Sequence, residues 1–217
     1  MNESLTASIR ERYQHTLAQI AEAAAGCGRA PEAVRLVVVS KSQPLQVVQA
    51  AVSAGISTFG ENYAEEAVKK INDLGKTTLE WHMIGHVQSR KAELVAANFA
   101  MLHSLDSLKL AGRLERFCSE LNRTLPVLLE CNVSGEASKF GFPAWQEGHW
   151  SDLEHEIEQI LAFPHLGVCG LMTMPPLFTN PECTRPYFQR LCRLQEFLGK
   201  QFPMARSPPF IEAVCLM

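Results

Sequence analysis

Short apolar runs alternate with helical stretches along the chain, and this alternation limits the possible folds more than any other feature of the sequence. Strands are predicted over six runs, at residues 35–40, 56–59, 79–84, 99–105, 126–133 and 166–172. Helices are predicted over residues 4–25, 45–54, 61–71, 88–97, 106 to about 122, 151–161 and 185–201. Strands and helices in this order favour a parallel sheet with right-handed crossovers, so we predict an α/β fold.

Polar side chains follow the ends of these strands, and their distribution separates two forms of the α/β fold. Lys41, Asn62, His86, Asp106 and Asn132 each come just after a predicted strand, and Asp106 is also predicted to cap the next helix. A barrel gathers all strand ends at one mouth, whereas a doubly wound sheet concentrates them at its switch point. The sequence therefore favours a TIM-type (β/α) barrel. Because about six βα units are visible where a full barrel has eight, we predict an incomplete barrel that lacks its last two strands.

The end of the chain departs from this pattern. The apolar run at residues 210–217 could add one strand at an edge of the sheet, with no helix after it to cover that strand. No low-complexity linker interrupts the preceding alternation. We therefore predict one domain over residues 1–203 and a divergent tail over residues 204–217.

Charge and cysteine usage exclude several classes of function. The net charge is −3, so no basic excess exists to bind nucleic acid or an anionic membrane. The N-terminus lacks the features of a signal peptide, and no apolar run is long enough to span a bilayer. The seven cysteines include no C-x-x-C pair and fit neither a disulfide framework nor a zinc site. We expect a cytoplasmic protein without a metal.

Lys41 is the strongest candidate for chemistry. It follows the β-branched run 37–39, from which one serine separates it, and it lies at the carboxyl end of a predicted buried strand. A lysine against apolar walls loses part of its hydration, and its neutral amine can then attack a carbonyl. The alternative is a lysine that carries the chain into solvent, as most lysines do. Dinucleotide, nucleoside-triphosphate and serine-hydrolase motifs are absent from the sequence, which leaves a Schiff-base lysine as the leading chemical hypothesis.

Three further residues are candidates for ligand contacts. Asn62, in the segment 59–63, offers an amide, although Gly60 and Glu61 beside it would also suit a simple turn into a helix. His86 follows Gly85 and is a better ligand candidate than His82, which lies within a strand. Lys139 lies in a polar loop bounded by glycines, where it could offer its charge to an anion or be an ordinary loop lysine.

Five motifs together resemble the pyridoxal phosphate homeostasis protein family, whose members are similar to the barrel domain of alanine racemase without its second domain. The motifs are V-V-V-S-K (37–41), F-G-E-N-Y (59–63), W-H-M-I-G-H-V-Q (81–88), S-G-E-A-S-K-F-G (134–141) and G-L-M-T-M (170–174). The resemblance covers roughly residues 5–203. It implies that Lys41 forms an aldimine with pyridoxal 5′-phosphate (PLP), that Asn62 lies beside the cofactor, and that Lys139 is a secondary phosphate contact.

The tail does not match this family. Members of the family continue with two further strands, whose loops hold the cofactor phosphate, and nothing after Met204 resembles those segments. We therefore expect weakened phosphate anchoring and incomplete barrel closure, with the lysine unaffected.

Four functions are consistent with these residues. The resemblance favours a monomeric carrier that holds PLP without catalysis and passes it to apo forms of PLP-dependent enzymes. A PLP-dependent racemase is less favoured because racemisation needs a second base, which in racemases comes from another domain that this chain is too short to supply. A barrel aldolase would use Lys41 on a sugar or keto acid without a cofactor. A truncated form with weakened PLP binding is the fourth reading.

Overall fold

Parallel strands alternate with helices, as the sequence predicts. The computed structural model describes residues 3–75 and 78–203, and the backbone of residues 213–216. The strands are β1 (Arg35–Val39), β2 (Thr58–Glu61), β3 (Glu80–Met83), β4 (Met101–Leu105), β5 (Leu125–Asn132), β6 (Phe142–Pro143), β7 (Leu166–Met172) and β8 (Ala213–Leu216). The helices are α1 (Glu3–Gly26), α2 (Leu45–Ser53), α3 (Ala64–Leu74), α4 (Ala92–Asn98), α5 (Leu108–Glu120), α6 (Glu154–Leu161) and α7 (Arg185–Gln201).

The described residues fall into two compact units, one extending to Met83 and including β8, the other beginning at Ile84. In the first unit, β1 pairs in parallel with β2 and with β8, and β2 pairs in parallel with β3. Val37, Phe59 and Trp81 are buried in its core, where the last two rings stack with centroids 5.1 Å apart. Their burial follows from the β-branched and aromatic composition of these strands.

The second unit is built around β5, which pairs in parallel with β4, with β7 and, at its end, with the two-residue β6. The apolar side chains of β5 are inaccessible to solvent, and the helices α4, α5 and α6 contribute buried residues to the same core. Parallel strands buried in this way need long crossover connections, which the helices provide. Among the described residues, no helix has the length and apolar character needed to cross a membrane.

All six predicted strands are present, with boundaries shifted by up to two residues. The structure adds β6, which is too short to be recognised in the sequence, and β8, which lies within the apolar run proposed as an edge strand. The predicted cap of α5 is wrong: Ser107, and not Asp106, accepts a hydrogen bond from the Leu110 amide at 3.4 Å. Asp106 is engaged with a histidine instead, as described below.

The predicted boundary between a domain over residues 1–203 and a tail over 204–217 stays a prediction. Residues 204–212 and 217 lie outside the described part of the chain, and of β8 only the backbone is described. The predicted loss of phosphate-binding loops therefore also stays a prediction.

Candidate functional site

Lys41 lies on a tight turn that directly follows β1. The Gln43 amide donates a hydrogen bond of 3.1 Å to the Ser40 carbonyl oxygen, which closes a four-residue turn with Lys41 as its second residue. Ser42, the third residue, has a φ of 59°, in the left-handed region that serine rarely occupies. Lys41 is partly buried, and its side chain makes no hydrogen bond or ion pair with any described residue. The turn therefore presents a lysine amine at the carboxyl end of β1, as the sequence predicts.

Ser40 is held in place through every polar atom it has. Its amide donates to the Gly60 carbonyl oxygen at 3.0 Å, and its hydroxyl donates to Glu61 Oε1 at 2.8 Å. Its carbonyl oxygen accepts from Lys70 Nζ at 2.7 Å in addition to the Gln43 amide. Ser40 is 3% exposed. The residue before the candidate lysine is thus a rigid, buried anchor.

The partners of Ser40 form an ion pair with each other. Lys70 Nζ lies 2.6 Å from Glu61 Oε1, and Glu61 is completely buried while Lys70 is 9% exposed. Sequence reasoning placed Glu61 at a helix start and did not consider Lys70. Helical spacing could have identified Lys70. It lies three residues after Ala67 and six after Ala64, on the buried face of α3.

Asn62 lies immediately after β2, between Glu61 and the start of α3. It is partly buried, and its side chain has no hydrogen-bond partner among the described residues. Because Ser40 and Glu61 are hydrogen-bonded, the two predicted residues that follow them, Lys41 and Asn62, extend from two joined strand ends. The structure therefore brings together this half of the predicted site.

His86 belongs to the second unit, where it has two partners. Its Nδ1 lies 2.7 Å from Asp106 Oδ2, and its ring stacks on Phe140 with centroids 3.7 Å apart and planes 9° from parallel. The Ser104 hydroxyl donates to the carbonyl oxygen of Gly85, the preceding residue, at 2.6 Å. Because one ring nitrogen and one ring face are occupied, the orientation of the imidazole is fixed.

Lys139 lies in the same loop as Phe140, so the structure brings His86 and this loop together. Lys139 forms an ion pair with Glu136 and donates to the Met174 carbonyl oxygen at 2.9 Å. The hydrogen bond from Lys139 holds the pKa of the Glu136 carboxyl below its ordinary value. Lys139 is therefore engaged within its own unit, unlike Lys41.

Asn132 organises this loop from the end of β5. Its Oδ1 accepts from the Gly135 amide at 2.9 Å, and its Nδ2 donates to the Glu136 carbonyl oxygen at 2.9 Å. The loop returns to β5 at Gly141, whose φ is +104°. A Cβ added there would lie 2.6 Å from the Glu130 carbonyl oxygen, so only glycine fits.

Glu130 is a buried acid that sequence reasoning missed. It lies on β5 and is 8% exposed, and its Oε2 has no hydrogen-bond partner among the described residues. Burial, assisted by the charge of Asp106, raises the pKa of Glu130 from its ordinary value to about 7. In the sequence Glu130 adjoins an apolar run and nothing marks it as buried. Only the packing of the folded chain shows that its carboxyl is removed from water.

An apolar cavity of the second unit lies between β5, β7, α6 and α7. Its lining includes Leu129, Ile157, Val168 and Leu198, and none of the four predicted site residues contributes to it. It offers almost no polar group that could orient a ligand, so it is not a candidate binding site.

Comparison with known proteins identifies the family to which the chain is similar. The family described as "Alanine racemase, N-terminal domain" matches residues 10–209. A pyridoxal phosphate homeostasis protein from Vibrio alginolyticus is 38% identical over 201 residues, which cover 90% of this chain and 83% of the relative. The protein of the same name from Aquifex aeolicus is 34% identical over 195 residues, with the same two coverages.

Solved structures of related proteins superpose on this chain. PipY of Synechococcus elongatus, solved without PLP, superposes with a TM-score of 0.72 at 31% identity, covering 85% of this chain and 83% of PipY. The PipY structure with PLP bound superposes with a TM-score of 0.70 at 32% identity, covering 85% of this chain and 84% of that one. Alanine racemase from Corynebacterium glutamicum, with a TM-score of 0.62 at 18% identity over 91% of this chain and 50% of the racemase, shares the fold. The predicted fold, of the alanine racemase N-terminal type, is therefore confirmed.

Proposed function

The chain belongs to the pyridoxal phosphate homeostasis protein family, and on this premise we propose that it binds PLP and takes part in vitamin B6 homeostasis inside the cell. Its relatives carry this name, and PipY has been solved with PLP bound. We further propose that Lys41 holds the cofactor covalently as a Schiff base and that the protein has no catalytic activity of its own.

The observation that carries the proposal is the state of the Lys41 amine. Lys41 is partly buried and lies on a rigid turn, and its amine makes no hydrogen bond or ion pair with the described residues. By contrast, the amines of Lys70 and Lys139 are each held by a carboxylate and a carbonyl oxygen. An amine without a competing partner is available as the nucleophile that an aldehyde requires.

Bound PLP would supply an aldehyde carbon as the electrophile. Lys41 would hold the cofactor through a carbon–nitrogen double bond from Nζ to that carbon, and the two hydrogens of the amine would leave with the aldehyde oxygen as water. The Lys41 residue fits this role because its amine has no competing partner among the described residues.

The other predicted residues have supporting roles in the proposal. Asn62 offers a free amide one residue after the Ser40-bound Glu61, and we assign it a contact beside the cofactor. His86 presents an oriented imidazole and is assigned a ligand contact within its own unit. Lys139 is assigned a secondary phosphate contact, which would require it to exchange the Glu136 carboxylate for a phosphate oxygen.

The Schiff-base proposal is tested by the visible absorption of the purified protein mixed with PLP. We expect an imine band that is lost in Lys41→Ala and kept in Lys69→Ala, an exposed lysine of the same unit. Borohydride reduction followed by peptide mass analysis should place the pyridoxyl group on residue 41. An imine band of full intensity in Lys41→Ala, or a pyridoxyl group on another lysine only, would refute the assignment.

The absence of catalysis needs a separate experiment. The names of the relatives support a role in cofactor homeostasis rather than in amino-acid conversion. The PLP-loaded protein should leave the enantiomeric composition of single amino acids unchanged, and it should activate an apo PLP-dependent enzyme when the two are mixed. Racemisation that depends on Lys41 would favour the racemase alternative.

Location and assembly are part of the same proposal. The six cysteines whose side chains the structure describes are all free thiols, which supports a reducing cytoplasm. We propose that the protein acts as a monomer, and sedimentation of the PLP-loaded protein at several concentrations tests this. A mass that rises to that of a dimer would contradict it.

A further inference from the structure

A buried ion pair lies beside the turn that carries Lys41, and the proposed function does not use it. Glu61, at the end of β2, and Lys70, on α3, are 2.6 Å apart. Both side chains are almost completely removed from solvent. Two charges buried together therefore require an explanation.

Stability does not explain this pair. Desolvation of two charges consumes most of their mutual attraction, and apolar side chains of similar volume often stabilise a core as well or better. One acceptor atom, Glu61 Oε2, has no hydrogen-bond partner among the described residues, which adds to the cost. The pair is thus a poor way to hold α3 against the strands if packing were its only role.

What the pair does provide is a fixed orientation of the backbone at Ser40. Glu61 Oε1 accepts the Ser40 hydroxyl at 2.8 Å, and Lys70 Nζ donates to the Ser40 carbonyl oxygen at 2.7 Å. That carbonyl oxygen also accepts the Gln43 amide, which closes the turn. Lys70 and Gln43 therefore occupy the two lone pairs of one oxygen, and rotation of the peptide that joins Ser40 to Lys41 would break both bonds.

We propose that Glu61 and Lys70 are positioning residues, which hold the Ser40–Gln43 turn so that the Lys41 amine is presented to an aldehyde ligand. The inference rests on the proposed function, because Lys41 is the reacting residue there. Fixing the peptide before Lys41 leaves only side-chain torsions to be restricted on binding, so the reaction avoids the cost of ordering the turn. The strained φ of Ser42 is maintained by the same anchoring.

The decisive variant is the double substitution Glu61→Gln with Lys70→Met, which removes both charges together while keeping the side-chain volumes. Its matched control is Arg35→Met with Glu80→Gln, which removes an ion pair of the same unit at the other end of β1. In the cofactor-free protein, hydrogen exchange of the Gln43 amide reports closure of the turn. With PLP added, the rate at which the imine band forms reports presentation of Lys41.

In the double variant we expect the Gln43 amide to exchange faster by about tenfold or more. We expect the imine to form more slowly, also by about tenfold or more. The melting temperature of the double variant should stay close to that of the control variant, for which both rates should match the wild type. Ser40→Ala, which removes the hydroxyl bond and keeps the ion pair, should change both rates in the same directions by a smaller factor.

The outcomes separate this inference from the proposed function. If the wild type forms no imine at Lys41, the proposed function fails. If the wild type forms the imine and both the double variant and Ser40→Ala form it at the wild-type rate, only the positioning role is refuted. A slower imine in the double variant with unchanged Gln43 exchange would also refute it, because the effect would then not act through the turn. If the double variant does not fold, Ser40→Ala decides the inference by the same two rates.

Discussion

The imidazole of His86 lies flat on the ring of Phe140, with centroids 3.7 Å apart, while its Nδ1 contacts Asp106 Oδ2 at 2.7 Å. Phe140 is 52% exposed, and the histidine is therefore held at the surface of its unit by a neighbour that belongs to a loop 54 residues further along the sequence. A stacked ring and one hydrogen bond together define the plane and the rotation of the imidazole.

Phe140→Leu should release one face of His86 while keeping an apolar side chain in place. We expect a loss of free energy of unfolding of at most about 1 kcal/mol, since the stacked pair is exposed. The ring-proton NMR signals of His86 should move downfield because the ring current of Phe140 is gone. Phe178→Leu, which removes a different exposed ring of the same unit, is the control and should leave those signals unchanged. Unchanged His86 signals in Phe140→Leu would contradict the stacking.

Gly141→Ala should strongly destabilise the second unit. The added Cβ would lie 2.6 Å from the Glu130 carbonyl oxygen, and a φ of +104° is unfavourable for alanine. We expect a loss of about 2 kcal/mol or more of free energy of unfolding, measured by urea denaturation. Gly199→Ala is the matched control, since it lies within α7 with no atom near the new Cβ, and should gain about 0.5–1 kcal/mol. Equal stability of the two variants would rule out the clash.

Lys70→Met alone should be far more damaging than the paired substitution with Glu61→Gln. The single change leaves the Glu61 carboxylate buried without its cation, at a cost of about 3–5 kcal/mol. The double variant leaves no charge at either of these two positions and should unfold at a urea concentration near that of the wild type. If the double variant lost as much stability as the single one, the charges would not be the cause.

The raised pKa of Glu130 predicts a stability that falls with pH. Because its pKa is about 7 in the folded protein and near 4.5 when unfolded, the folded state binds more protons between these values. This contribution is fully present below about pH 4.5 and is lost as the pH rises through 7. Glu130→Gln, which stays neutral, should lack this decline and exceed the wild type at pH 8 by about 1–3 kcal/mol.

Thermal unfolding from pH 4 to pH 8 measures this difference. Glu158→Gln, an exposed glutamate of α6, serves as the control and should follow the wild-type curve. Parallel curves for Glu130→Gln and the wild type would show that Glu130 does not titrate in this range.

Much of the fold was predictable because its determinants are local. Runs such as 37–39 consist of β-branched residues, which favour a strand, and amphipathic periodicity marks helices such as α7 along their full length. The error at the cap of α5 is local too: Asp106 and Ser107 are both good caps, and the histidine contact of Asp106 decided between them.

The candidate site was predictable only in part. Lys41, Asn62 and His86 were singled out because each comes just after a predicted strand, and Lys139 because it lies in a polar loop bounded by glycines. The burial of Glu61, Lys70 and Glu130 was not predicted, since a charged residue in a sequence gives no sign that its side chain is buried.

By itself the sequence determined the alternation of strands and helices, the lysine at the end of the first strand, and the family. These follow from side-chain chemistry and short-range spacing. Only the tertiary structure decided that Lys70 meets Ser40 from 30 residues away, and that Phe140 covers His86. Such contacts depend on which helix face packs against which strand end, and many pairings of residues satisfy the same local pattern.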